Sequence, residues 1–282
     1  TQQPIVRTER VDDIPLLLTQ MGKIRLADVI DEHFQPHGNW QGLNIGQVTC
    51  GWLSYILSEG DHRMNQVETW AEKMPITLNA GLQAEVRALD FSDDRLAAVL
   101  DEFSQDEKWE GFERSLNGSI LRVYDLKAER VRVDTSTAKS YVDVTEDGLL
   151  QFGHSKDHRP DLPQLKISQS ALDPLGLPVT TTVVSGNCAD DPLYIPEIKR
   201  VQSSLNTKGL LLIGDCKMSA LEIRAYVAFS GDHYLSPLSA VQMPQATLEK
   251  LLEPVWQEEQ SLTTVYRPQS EEEIEHEEKL EA

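Results

Sequence analysis

The pattern of apolar and polar positions divides the chain into a helical first part and a second part with strands. Apolar residues recur at helical spacing in five segments, which are 14–34, 44–60, 63–73, 92–105 and 106–121. Ser92 stands where a helix N-cap is expected, and Gly60 stands where a helix should stop. From residue 126 onward the spacing changes, and the segments become rich in valine and threonine.

The second part predicts a mixed α/β sheet. The segment "ERVRVDTSTAKSYV" (129–142) alternates, and "QLKISQSALDPLGLPVTTTVVSGN" (164–187) gives two strands joined by the turn "DPLG". The apolar run "GLLLIG" (209–214) is typical of a strand buried on both faces. Two helical segments and the strand "HYLSPL" complete the order β-β-β-α-β-α-β, which defines a mixed α/β domain.

These patterns predict three regions. A helical domain covers residues 1–120, and an α/β core covers residues 121–245. Residues 246–282 form an acidic stretch that ends in "SEEEIEHEEKLEA", which is typical of a solvated helix end or tail.

Cysteine usage and hydropathy bear on the cellular compartment. Cys50, Cys188 and Cys216 are scattered, so they form neither a C-x-x-C pair nor a disulfide framework, and buried structural thiols are expected. No apolar run approaches the roughly 20 residues that span a bilayer, and the first residues lack a hydrophobic signal segment. A reducing, cytoplasmic setting is therefore expected, without a membrane partner.

Two aspartates occupy similar contexts. Asp134 in "VRVDTST" and Asp215 in "LLLIGDCKMS" follow strand-like residues and precede small or polar ones. Functional groups gather at the carboxyl ends of parallel strands, so neighbouring strands would bring both carboxylates together. Their repulsion would require a raised pKa or a cation such as Mg²⁺, which takes oxygen ligands and keeps several waters. The alternative is a turn former or, for Asp215, a helix N-cap.

Charge is unevenly distributed along the chain. The formal net charge of −20 argues against nonspecific nucleic-acid binding, because phosphates would be repelled. Within 122–170, however, acidic and basic residues are equal in number. The segment "HSKDHRPD" (154–161) there concentrates four side chains able to contact DNA phosphates: His154, Lys156, His158 and Arg159. The alternative is an ordinary polar loop.

Several segments together resemble one enzyme family. They are "RVDTSTAKSY", "GHSKDHRPDLPQLKISQSALDPLGLPVTTTVVSGNCADD", "LLLIGDCKMSA" and "GDHYLSPL". They resemble the DDE-class transposases of bacterial insertion sequences, in the branch whose RNase H-like core holds a β-rich insertion. Residues 10–75 resemble the amino-terminal domain of that branch.

The resemblance implies an RNase H-like core preceded by an all-α domain. It implies that Asp134 and Asp215 are the first two catalytic acids and hold Mg²⁺ or Mn²⁺. It also implies DNA transposition at insertion-sequence terminal repeats, by a homo-oligomer assembled on DNA. No P-loop or G-x-G-x-x-G occurs, so no nucleotide cofactor is expected.

One element of the family pattern is absent. The third acid of the family lies in Tyr-x-x-Arg-x-x-x-Glu-x-x-x-x-x-x-Lys, a spacing that does not occur here, since Tyr266 is followed directly by Arg267. We therefore expect that residues 246–282 are the acidic start of the inserted region or a truncated tail, and that the truncated chain is inactive by itself. Two alternatives stay open: a non-catalytic remnant that binds DNA or a full-length partner, and an RNase H-like nuclease that cuts without joining.

Two further segments have competing interpretations. In "SGNCADD" (185–191), Asp190 or Asp191 either approaches the metal or caps the helix that begins near Pro192, and capping is favoured. The segment "LSYILSEGDHRMNQVETWAEK" (53–73) has the helix–turn–helix form of major-groove readers. Its only basic residues are Arg63 and Lys73, so a packing role is at least as well supported.

Overall fold

A computed structural model describes residues 6, 8–36, 38–154 and 158–261. The chain forms two compact units, Thr1–Pro237 and Leu238–Ala282. Both the helical part and the sheet lie in the first unit. The division of the chain into separate domains, with boundaries near residues 120 and 245, stays a prediction. Within the described residues, no helix is long and apolar enough to cross a membrane.

The first part is helical, as predicted. Before the sheet, the described residues form seven α-helices: α1 (Ile14–Lys23), α2 (Leu26–His33), α3 (Ile45–Glu59), α4 (Val67–Lys73), α5 (Pro75–Leu82), α6 (Asp93–Phe103) and α7 (Asp106–Val123). The predicted single helix over 14–34 is wrong, because Arg25 adopts a left-handed φ of 58° and separates α1 from α2. The pattern missed α5, whose apolar residues do not gather on one side of the helix.

The N-termini of α3 and α6 show which capping interactions can be predicted from the local sequence. At α3, Asn44 Oδ1 accepts a hydrogen bond from the Gln47 N–H at 2.7 Å, and Gln47 Oε1 accepts one from the Asn44 N–H at 3.2 Å. At α6, Ser92 holds the N-cap position, but its side chain makes no capping hydrogen bond. The prediction that Ser92 is the N-cap residue is therefore confirmed for its position, but its side chain does not form the expected capping hydrogen bond.

An aromatic group joins α2, α6 and α7. The fully buried Phe34 ring lies 4.7 Å from the Phe103 ring and 5.8 Å from the Phe112 ring, measured between centroids. Trp109 contacts the same group, with its centroid 5.2 Å from that of Phe112. Such pairs add about 0.5–1.5 kcal/mol beyond burial of their area. They anchor the amino-terminal half of α7 in the helical core.

The sheet confirms the predicted fold class. Its strands are β1 (Arg130–Lys139), β2 (Gln164–Leu172), β3 (Leu177–Ser185), β4 (Leu211–Ile213) and β5 (His233–Leu235), in the order β3-β2-β1-β4-β5. The β1–β2 and β2–β3 pairs are antiparallel, and the β1–β4 and β4–β5 pairs are parallel. Helix α8 (Tyr194–Leu205) connects β3 to β4, and α9 (Leu221–Phe229) connects β4 to β5. This arrangement is that of an RNase H-like mixed sheet.

One face of the sheet packs against α8 and α9. Val131 and Val133 of β1 are buried with Ile198 of α8 and Val227 of α9 in a second hydrophobic core. Residues at alternate positions of β1, among them Asp134, are exposed on the other face. The expectation that β4 is buried on both faces is wrong, since its central residue is buried and the residues on either side are half-buried.

Side chains from α7 and α8 cover the outer edge of β3. The Thr181 N–H donates to Glu113 Oε1 at 2.9 Å, and Arg200 Nη1 donates to the Thr181 carbonyl at 3.1 Å. Arg200 Nη2 also donates to Glu113, and Asn117 Nδ2 donates to the Val179 carbonyl at 2.7 Å. These bonds satisfy edge groups that would otherwise be open to another strand.

The chain beyond the sheet contains one described helix. Helix α10 (Gln245–Trp256) belongs to the second unit and falls within the region predicted as acidic. Residues 262–282, which include Tyr266, Arg267 and the glutamate-rich segment, lie outside the described residues.

Replacing Glu113 with alanine should destabilise the protein by about 3 kcal/mol, because the largely buried Arg200 would lose its closer carboxylate partner. Burial raises the pKa of Glu113, and the Arg200 charge opposes that rise. Urea unfolding measures the change. The control is Glu110→Ala, because Glu110 is half-exposed, lies 3.7 Å from Arg200 Nε and should contribute less than about 1 kcal/mol. Equal losses in both variants would contradict a special role for Glu113.

The three cysteines differ in their environments. Cys50 is buried in α3, Cys188 is half-buried and Cys216 is exposed. The expectation of buried structural thiols is therefore right for Cys50 and wrong for the other two, which follow the ends of β3 and β4. Burial, with smaller effects of the Asp31 and Asp28 charges, raises the pKa of Cys50 to about 12.

We expect Cys216 to react with a thiol reagent at neutral pH, and Cys50 to react only after unfolding. A thiol reacts as the thiolate, and a pKa near 12 leaves almost none of Cys50 in that form. The measurement is the number of thiols modified with time, before and after urea is added. Rapid reaction of Cys50 in a Cys188→Ser, Cys216→Ser variant without urea would show that α3 does not shield it.

Candidate two-aspartate site

The parallel β1–β4 pair ends two residues before the two predicted acids. Arg130, Val131 and Arg132 of β1 pair with Leu211, Leu212 and Ile213 of β4. Continuation of this register by two residues would set Asp134 opposite Asp215. The expectation that each acid follows a strand holds for Asp215 only, because Asp134 lies inside β1, which continues along β2.

One oxygen of Asp215 is fixed by two donors. Asp215 Oδ1 accepts a hydrogen bond from the Tyr194 hydroxyl at 2.6 Å and another from the Lys217 N–H at 2.8 Å. The second bond is that of a turn-forming aspartate. The N-cap alternative is wrong, because α9 begins at Leu221 with Ala220 at its N-cap.

Asp134 has a comparable arrangement. Its Oδ1 accepts a hydrogen bond from the Thr135 N–H at 2.7 Å, and the side chain is exposed. Within the described residues, Oδ2 of Asp134 and Oδ2 of Asp215 accept no hydrogen bond and join no ion pair. Each carboxylate thus offers one oxygen to a ligand.

The Tyr194 hydroxyl is a buried donor to one of the two predicted acids, Asp215. Tyr194 is the first residue of α8, and only 2% of its surface is exposed. Burial raises its pKa, as do the hydrogen bond to Asp215 and the charges of Asp215, Asp134 and Asp190. With its pKa raised, Tyr194 stays a protonated donor to Asp215.

The two acids of the 185–191 segment form ion pairs. Asp190 Oδ1 lies 2.5 Å from Lys166 Nζ, in a pair whose side chains are only 15% and 6% exposed. Asp191 Oδ1 lies 3.3 Å from Lys217 Nζ in an exposed pair. The predicted capping role is wrong, because the position before the first helical turn, Asp190, makes no side-chain capping bond.

Sequence reasoning missed Lys166 and Tyr194. Lys166 occupies an inward position of β2, where alternation predicts an apolar residue, and that mismatch was an available signal. Nothing in the local pattern distinguishes Tyr194 from a core residue at the start of a helix. Its contact with Asp215 depends on the tertiary placement of α8.

The donor chemistry suits a hard divalent cation, although the ligand set is small. Within the described ranges, no three histidine, cysteine, aspartate or glutamate side chains form a group that could hold a metal. Asp134 and Asp215 would supply two carboxylate oxygens. Mg²⁺ accepts such a site, because it binds through one or two carboxylates and keeps several waters.

The predicted DNA-binding loop precedes β2. His154, His158 and Arg159 are exposed, and Lys156 lies outside the described residues. Gln164, the first residue of β2, pairs with Lys139 at the end of β1, so the loop lies beyond the end toward which β1 runs after Asp134. Arg159 donates two hydrogen bonds to Asp161, at 2.8 and 2.7 Å. A phosphate would have to compete with that carboxylate.

The helix–turn–helix segment forms α3 and α4. Tyr55 and Trp70 pack against each other with ring centroids 5.4 Å apart, and both are buried. The Tyr55 hydroxyl donates to Asp61 at 2.6 Å, and Arg63 donates to the same carboxylate at 2.9–3.1 Å. These are contacts of a packed helix pair, and DNA reading by this segment stays a hypothesis.

Residues 6–114, less than half of the chain, match a domain of unknown function, DUF4277. No curated protein matches the chain. A structure of the piggyBac transposase synaptic complex with hairpin DNA is similar, with a TM-score of 0.40 and 10% identity. The match covers 90% of this chain and 54% of that one, so this chain spans about half the length of that transposase.

Two structures of the Mos1 transposase are more distant. The paired-end complex with the left transposon end has a TM-score of 0.29 and 10% identity, over 97% of this chain and 90% of that chain. The strand transfer complex has a TM-score of 0.27 and 11% identity, with the same coverage. Similarity at this level assigns neither a reaction nor a ligand to this chain.

Proposed function

We propose that this chain is a DNA transposase that acts by phosphoryl transfer at the ends of an insertion sequence, as an oligomer on DNA. The observation that supports the proposal is the β1–β4 register, whose continuation by two residues beyond the Arg132–Ile213 pair would set Asp134 opposite Asp215. Both side chains are exposed. The motifs around these acids, which resemble those of DDE-class transposases, add independent support.

The residues of the site would prepare two carboxylates for a divalent cation. Mg²⁺ or Mn²⁺, when bound, supplies Lewis-acid activation of water or of a DNA 3′-hydroxyl for attack on a phosphodiester. The Thr135 N–H holds one oxygen of Asp134, and Tyr194 with the Lys217 N–H holds one oxygen of Asp215. The remaining oxygens would bind the cation, and the exposed edge would admit DNA.

A complete site of this enzyme class would need a third carboxylate. The charge of Asp190 also acts on Tyr194, but Asp190 forms a buried ion pair with Lys166. We propose that the third acid comes from a segment with the Tyr-x-x-Arg-x-x-x-Glu-x-x-x-x-x-x-Lys pattern, which does not occur in these 282 residues. Because misplacement of reacting groups by about 1 Å costs on the order of 10²-fold in rate, this chain by itself should be nearly inactive.

The loop before β2 would supply the DNA contacts. A chain with a net charge of −20 must bind DNA through a local patch, and His154, Lys156, His158 and Arg159 would form it. Arg159 would exchange the Asp161 carboxylate for a backbone phosphate.

Replacing Lys156 and Arg159 together with alanine should make DNA binding less sensitive to salt. Each lost phosphate contact lowers the slope of log K against log salt by about 0.9, so the double variant should lose roughly 1.8. The measurement is the anisotropy of a fluorescent duplex between about 50 and 200 mM salt. Lys208→Ala is the control, because Lys208 is also an exposed basic residue and precedes β4, at the end of that strand opposite to Asp215. If the slope of log K against log salt is unchanged in the double variant, the loop does not contact the DNA phosphates.

Strand cleavage and joining test the function itself. The chain would be mixed with a segment that carries the Tyr-x-x-Arg-x-x-x-Glu-x-x-x-x-x-x-Lys pattern, with Mg²⁺, and with DNA taken from both flanks of the coding region. We expect cleaved and joined DNA products. The amount of these products should be lower by about 10²-fold or more in the Asp134→Asn and Asp215→Asn variants. Asp101→Asn, an exposed aspartate of α6, should leave them unchanged.

The other outcomes separate the alternatives. Products that form equally without Mg²⁺, or equally in Asp134→Asn, would exclude the two-aspartate site. Cleavage without joining would indicate a nuclease, and DNA binding without cleavage would indicate a non-catalytic protein.

A further inference from the structure

We infer that Tyr194 is a positioning residue, whose hydroxyl fixes Asp215 Oδ1 and thereby presents Asp215 Oδ2 to a divalent cation. The inference rests on the proposed function, since it gives Tyr194 a role in the site formed by Asp134 and Asp215.

The first argument is the geometry at Asp215. Two donors, the Tyr194 hydroxyl at 2.6 Å and the Lys217 N–H at 2.8 Å, share Oδ1. Rotation of the carboxyl group would break both bonds at once. Hydrogen bonds to a charged group are shorter and roughly twice as strong as neutral ones, so this pair favours one orientation. Without Tyr194, only the bond within the turn would remain.

The second argument is the rigidity of Tyr194 itself. Its ring is buried in the second hydrophobic core with residues of β1, β4 and α9. The segment before it is held by the buried Asp190–Lys166 pair and by the Asp191–Lys217 pair. Because its ring and the segment before it are both held in place, the Tyr194 hydroxyl does not move with the Asp215 carboxylate. The hydroxyl therefore restrains the orientation of that carboxylate. Groups that orient metal ligands act in this way.

The chain contains a matched control for this contact. The Tyr55 hydroxyl also donates to a carboxylate, Asp61, at the same distance of 2.6 Å, and Tyr55 is only 3% exposed. That pair lies in the helical part, outside the second core. Tyr194→Phe and Tyr55→Phe therefore remove the same kind of bond, one at the candidate site and one elsewhere.

The experiment measures Mn²⁺ binding by calorimetry on the full chain, with circular dichroism to verify folding. Loss of a group that orients a metal ligand typically costs 10–100-fold in affinity, so Tyr194→Phe should bind Mn²⁺ about 10-fold more weakly. Tyr55→Phe should stay within about twofold of wild type, because distant sites are independent. Both variants should unfold at a lower temperature, whereas only Tyr194→Phe should show a smaller stabilisation by Mn²⁺.

The controls separate the two ways in which the inference can fail. If Asp134→Asn and Asp215→Asn weaken Mn²⁺ binding while Tyr194→Phe does not, the positioning role is wrong and the metal site stands. If the two aspartate variants bind Mn²⁺ like wild type, the metal site and the positioning role are both wrong. Equal weakening in Tyr194→Phe and Tyr55→Phe would also overturn the inference, because the effect would then be a general loss of stability.

Discussion

The parallel pairing of β1 with β4 is the constraint on which the candidate site depends. Only three residue pairs define it, and a slip of one residue would send Asp134 and Asp215 to unmatched positions. Its register is fixed by burial, since Val131 and Leu212 lie opposite each other and are both inaccessible. The hydrogen bonds from the Leu211 N–H to the Glu129 carbonyl, and from the His233 N–H to the Leu210 carbonyl, continue the ladder on both sides of β4.

A buried network of hydrogen bonds and ion pairs connects the sheet, through α8, to helix α7 of the helical part. Both carboxylate oxygens of Glu197 in α8 accept bonds from threonine hydroxyls of β3, at 2.5 and 2.6 Å. The Thr182 hydroxyl also accepts a bond from Arg200, which pairs with Glu113 of α7. Every link crosses between elements, so the network joins α7 and β3 to α8, whose first residue is Tyr194. Helix α8 therefore contacts both the outer strand β3 and, through Tyr194, Asp215.

Local patterns account for the elements, whereas long-range contacts account for most of the site. The alternation of 129–142 and the turn "DPLG" predict β1, β2 and β3, and the strand-end context predicts that Asp134 and Asp215 lie on neighbouring strands. The break at Arg25 was missed, because a left-handed non-glycine residue leaves no mark in an apolar pattern. The Tyr194–Asp215 and Lys166–Asp190 contacts depend on how α8 closes over the sheet end, which no local spacing records.

Charge decides what can approach this end of the sheet. The charges of Asp215, Asp134 and Asp190 all act on Tyr194, and the chain has a net charge of −20, so an incoming phosphate would meet repulsion there. Lys166 cancels Asp190, and Lys217 lies against Asp191, so these pairs leave Asp134 and Asp215 uncompensated. Together, the two carboxylates carry two negative charges, which one divalent cation would neutralise. Under the proposed function, the cation must therefore bind before the DNA backbone or together with it, because the unoccupied pair would repel the strand that it is meant to cut.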